Sequence, residues 1–100
     1  MKFIGMRACK DCLEAESVLK QSNVKFDYVD IAASAENLKF FLDLRENREE
    51  FIEKKEEGYL GLPCFLMDDG QILFDENKII YAEEFAKSEA EVANEISQSA

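Results

Sequence analysis

Cys9-Lys10-Asp11-Cys12 places two thiols three positions apart, separated by two residues from the short apolar run Phe3-Ile4-Gly5-Met6 and where a helix should begin. That spacing lets one sulfur attack a disulfide while the other waits within reach to resolve the intermediate. The attacking species is the thiolate, and the unpaired N–H groups and dipole of a helix N-terminus favour negative charge there. A C-x-x-C beside a strand–helix–strand pattern reads as a thiol–disulfide redox site. Two other readings of the same residues stay open: a structural dithiol without chemistry, and half of a metal site.

Outward from this motif the pattern is regular. Lys2–Gly5 predicts a short strand, and Cys9 or Asp11 caps a helix running to about Ser22. Asp11 and Glu14 have the form of a capping box, and Leu13, Val18 and Leu19 are its expected buried face. Val24–Ile31 predicts a second strand, parallel to the first through a right-handed crossover. A further helix starts near Ser34, and Leu38, Phe40, Phe41, Leu42 and Leu44 predict that it is well buried. After Glu46-Asn47-Arg48-Glu49 a shorter helical piece carries Phe51 and Ile52 and stops at Gly58, with Glu53–Glu57 as a solvated face. Pro63–Met67 and Gln71–Phe74 predict two strands joined by the hairpin signal Asp69-Gly70. Asp75 caps a last helix with Ile79, Ile80, Ala82, Phe85 and Ala86, extending past Lys87 toward Ile96 with a frayed end. The expected order is β-α-β-α-β-β-α: one α/β domain over residues 1–100, a mixed four-stranded sheet flanked by helices.

Composition narrows the function classes. With 47% hydrophobic and 34% charged residues the chain is globular. A net charge of −10 disfavours nucleic acid and anionic membrane surfaces as partners. No apolar run is long enough to span a bilayer and no signal peptide fits before the motif, which predicts a cytoplasmic protein. The absence of histidine removes Ser/His/Asp and Cys/His catalysis and histidine-ligated zinc. Three cysteines do not make a disulfide scaffold, and in a reducing compartment they are thiols most of the time.

Gly61-Leu62-Pro63-Cys64, about fifty residues after the motif and just before a strand, is the second element of the constellation. With it the chain resembles the glutaredoxins and the wider thioredoxin-fold family over nearly its whole length: C-x-x-C at the first helix, the hydrophobic-Pro pair Leu62-Pro63, and the Asp69-Gly70 hairpin. The resemblance implies a thioredoxin-like fold and a cis-proline facing the dithiol. It also implies a Leu62 backbone that pairs with an extended thiol substrate by a short strand addition. Cys9 would then attack and Cys12, or a second glutathione, would release the mixed disulfide. Glutathione would be the co-substrate, with no tightly bound cofactor or metal. The protein would be a monomer acting on glutathione and disulfide-bearing proteins.

This sequence departs from the family at several positions. Lys10-Asp11 stands between the cysteines where Pro-Tyr is usual, and Lys10 would favour a Cys9 thiolate. Leu73-Phe74 stands in place of a Gly-Gly, followed by Asp75, and Met6 occupies the place of a lysine. Arg7 is the candidate for a glutathione carboxylate. Cys64 reads as a small buried hydrophobe, with a third redox thiol or metal ligand as the other reading. A thioredoxin-like reductant independent of glutathione, and an Fe–S or zinc module with too few thiolates of its own, are the competing functions.

Overall fold

Four strands form one mixed sheet in the order β2-β1-β3-β4, and the motif cysteines lie at the end of its innermost parallel strand. The computed structural model describes residues 1–85. Ala86, the extension past Lys87 and the frayed end expected there lie outside these residues. β1 spans Lys2–Gly5, α1 Lys10–Gln21, β2 Asp27–Asp30 and α2 Ala35–Asn47. A 3-10 turn at Glu49–Phe51 leads into the short α3, Ile52–Glu56, followed by β3 at Cys64–Leu66 and β4 at Ile72–Leu73. A last helix, α4, covers 76–85 of the described residues.

β1 pairs in parallel with β2, with Phe3 opposite Tyr28 and Gly5 opposite Asp30. On its other side it pairs antiparallel with β3, with Ile4 opposite Cys64. Because successive strand residues point to opposite faces, this register builds two cores. Phe3 and Phe65 pack with Cys12, Ala15, Leu19 and Ile79 on one face. Ile4, Cys64 and Ile72 pack with Ile31, Phe41 and Phe51 on the other. Phe3 anchors the first, stacked on Tyr28 at 4.8 Å and edge-on to Phe65 at 4.9 Å. The sheet therefore lies between helical layers, an α/β arrangement with the expected element order.

Several local readings change. The α1 cap is Cys9, not Asp11, which sits in the first turn without closing a capping box with Glu14. Leu13 is 48% exposed: it lies about 100° around the helix from Cys12, and the face that meets the sheet is Cys12, Ala15, Glu16 and Leu19. On α2 only Phe41 is buried. Leu38 and Leu42 are exposed, because α2 has the sheet on one side and no described element on the other. The three later strands are shorter than expected, since their flanks, Val24 to Phe26 among them, run past the paired register. The hairpin forms as read, with Gly70 at φ +88° and its N–H on the Met67 carbonyl. Gly58 closes α3: its N–H reaches Lys55 and that of Tyr59 reaches Lys54, a Schellman pair.

Candidate functional site

The site is built where β1 ends and α1 begins. Cys9 is the N-cap in an extended conformation (φ −89°, ψ 116°), and its Sγ accepts the Cys12 N–H at 3.2 Å. A sulfur thus takes the place of the oxygen that usually satisfies this orphan donor. That N–H and the positive end of the helix dipole therefore lie beside this sulfur. Cys9 is partly exposed, whereas Cys12 is fully buried in the first core. Burial, and then a hydrogen bond to the Cys9 side chain, push the Cys12 thiol up to about 12. The two sulfurs therefore differ in environment: Cys9 meets solvent, while Cys12 keeps its proton inside.

Gly5 makes this packing possible. A Cβ there would lie 2.9 Å from the Tyr28 hydroxyl and 3.0 Å from Cys12 Sγ, so the bare backbone lets both converge over the end of β1.

Across from Cys9 runs the segment Tyr59–Pro63. The Leu62-Pro63 bond is cis, and both residues line one groove with Cys9. The groove holds roughly 630 Å³, within the usual range for ligand pockets. Met6, Tyr59, Leu60 and Phe74 add apolar wall, while Asp11, Glu14, Lys54 and Glu76 add charge. Arg45 of α2 fixes the wall from behind, its Nε donating to the Leu60 carbonyl at 2.9 Å and its terminal nitrogen to that of Tyr59 at 3.3 Å. Among the described residues the Leu62 backbone makes no backbone hydrogen bond.

Gly61 shapes the turn into this wall. Its φ is +99°, and a Cβ would meet the buried Phe51 ring at 2.8 Å. Gly61→Ala combines a left-handed backbone penalty of about 1–2 kcal/mol with overpacking of about 1–3 kcal/mol. Urea unfolding is expected to show a loss of about 2–5 kcal/mol; an unchanged midpoint would contradict this reading of the turn.

The sequence-derived residues do not all gather here. Cys9, Leu62 and Pro63 share the groove, with Cys12 directly behind Cys9. Arg7 does not line it: the guanidinium binds Glu16 and lies 4.0 Å from the centre of the Tyr28 ring. Glu16 is itself held by Lys20 at 2.8 Å, and that bond first, then Arg7, keeps its carboxyl below the usual value. Lys10 is exposed on α1, outside the groove lining. Asp75 accepts the Asn77 N–H at 2.9 Å as a helix cap; its neighbour Glu76 faces the groove instead.

Cys64 is fully buried in the second core, on the far face of the sheet from Cys12. Burial pushes its thiol up to about 12. Alternation along β3 separates it from the dithiol, so a three-thiol cluster with Cys9 and Cys12 does not form. Among the described residues no group of three or more His, Cys, Asp or Glu side chains converges as a metal site. No helix among them is long and apolar enough to cross a membrane.

Tyr59, Leu60, Glu14, Lys54 and Glu76 escaped the reading of the sequence. The one local signal was the apolar pair Tyr59-Leu60 ahead of Gly61-Leu62-Pro63; the charged residues come together only through the packing of α1, α3 and α4.

A protein of Haemophilus influenzae described as an uncharacterized protein is 37% identical to this chain over 71 residues, 71% of the chain and 83% of that protein. No family model matches the chain, and no solved structure does either.

Proposed function

The chain belongs to the same family as that Haemophilus influenzae protein, and we propose that it is a glutaredoxin-like thiol–disulfide oxidoreductase on a thioredoxin-like fold, acting in the cytoplasm. The observation that carries this reading is the asymmetry of the dithiol. Cys9 Sγ caps α1 and opens on a groove walled by Leu62 and Pro63, while Cys12 lies buried behind it.

The chemistry follows from that asymmetry. The Cys9 thiolate attacks one sulfur of a substrate disulfide; a Cys9–substrate S–S bond forms as the original S–S bond breaks, and the departing thiolate takes a proton from water. Cys12 then gives up its proton and attacks Cys9 Sγ, forming the Cys9–Cys12 disulfide and releasing the second substrate thiol. The substrate gains two electrons and two protons, and the dithiol is oxidised by the same amount. An external thiol reductant returns it to the starting state. The Leu62 backbone, without a backbone partner among the described residues, offers a strand-like hydrogen-bonding edge for the substrate while this happens.

The test is exchange between the reduced protein and a disulfide peptide, run with wild type and Cys12→Ser. Wild type should pass to its own disulfide with release of both peptide thiols. Cys12→Ser should stop at a stable Cys9 mixed disulfide. Failure of both proteins to exchange would end the oxidoreductase reading.

A further inference from the structure

The charges around Cys9 define which disulfide the groove accepts. Asp11, Glu14 and Glu76 line it as three carboxylates, and Lys54 is the one cation among its described lining residues. The Lys54 ammonium lies against the wall, 5.1 Å from the Phe74 ring centre and 5.9 Å from that of Tyr59. Arg7, the nearest guanidinium in sequence to Cys9, is committed to Glu16 and the Tyr28 ring. A ligand with two carboxylates, such as glutathione, meets like charge here and a single amine.

The same wall suits the opposite ligand. Tyr59 and Leu60 are exposed apolar residues, 61% and 44%, that can cover aliphatic stems. Asp11, Glu14 and Glu76 line the same groove, and their carboxylates can pair with cationic ends. Lysine and arginine have this form, an apolar stem with a charged head.

We propose that the groove takes an extended, cysteine-bearing protein segment flanked by lysine or arginine, presented as a disulfide, in preference to glutathione or an acidic segment. This rests on the oxidoreductase reading for its chemistry, while the charge preference rests on the groove alone. Complementary charge should act mainly on the rate of encounter and weaken as salt screens it.

The experiment uses the full chain and three short disulfide peptides, identical but for lysine, glutamine or glutamate beside the cysteine. The reduced protein should be oxidised roughly tenfold faster or more by the lysine peptide than by the glutamate peptide at low ionic strength. The ratio should shrink as salt is added. Glu14→Gln with Glu76→Gln should remove most of it. Glu36→Gln with Glu46→Gln, an equal charge change on exposed α2 positions, should leave it near wild type. Serine analogues of the peptides, which cannot exchange, read binding by NMR shifts at the groove and should keep the same order. Equal rates, a preference for the glutamate peptide, or equal loss in the α2 variant would overturn the proposal. If no peptide oxidises the protein but the serine-lysine analogue still binds selectively, the redox reading fails and the groove's preference stands.

Discussion

A Cys9→Ser variant is expected to fold normally and to lose disulfide exchange down to the uncatalysed background. Serine is a favoured N-cap residue, so its hydroxyl can take over the Cys12 N–H that Cys9 Sγ accepts in the native protein. α1 therefore keeps its start, and thermal unfolding should shift little. The chemistry does not survive the exchange of one atom, because a serine hydroxyl remains protonated and is no nucleophile toward sulfur at neutral pH. Cys12 cannot substitute for it: its sulfur is fully buried and burial, helped by the Cys9 side chain, holds its proton up to about 12. Cys64→Ala is the companion measurement. Cys64 lies in the other core, so its removal should leave turnover unchanged. A Cys9→Ser protein that exchanges at the wild-type rate would show that another thiol is the nucleophile.

Alkaline solution is expected to unfold the reduced protein through three buried protons. Burial pushes the Cys12 and Cys64 thiols from 9.0 to about 12 and the Tyr28 phenol from 10.0 to about 12. In each case the folded value is raised above the unfolded one, so the stabilisation is complete below about pH 9. It is lost as pH rises toward 12, where the unfolded chain has released protons that the folded chain still holds. A thiol held three pH units high forfeits at most about 4 kcal/mol over that range. Two of them together approach the whole stability of an ordinary domain, about 5–15 kcal/mol. Urea unfolding under reducing conditions should give similar midpoints at pH 7 and 8, then a steep fall between pH 9 and 11. Cys64→Ala should make that fall shallower. Equal midpoints at pH 7 and pH 11 would contradict the burial of these groups.

What could be read from the sequence follows the range of the interactions involved. Local signals carried the strands, the caps at Cys9, Ser34 and Asp75, and the Asp69-Gly70 hairpin, because each depends on residues a few positions apart. The facing of Cys9 by Leu62-Pro63 was expected only through the family resemblance, since no local pattern sets a proline about fifty residues away opposite the dithiol; the two do line one groove with Cys9. Burial along α2 was not. Its apolar residues surround the helix, and sequence periodicity does not tell that only one flank meets the sheet, leaving Leu38 and Leu42 exposed. Arg7 shows the same limit for the site. Its place before Cys9 suggests a substrate anion, while the fold brings Glu16 and Tyr28 to it first. The acidic lining has no sequence signature either, since Glu14 and Glu76 meet only after α1 and α4 pack on one face.

The Cys9–Cys12 couple itself is tested most directly by equilibrating the protein in a graded thiol/disulfide redox buffer, quenching with an alkylating agent, and mapping the cysteines by mass spectrometry. The account predicts one transition, in which the peptide holding Cys9 and Cys12 loses two hydrogens while Cys64 stays a free thiol throughout. Cys9 and Cys12 remaining separately alkylated across the whole series, or Cys9 pairing only between molecules, would contradict it.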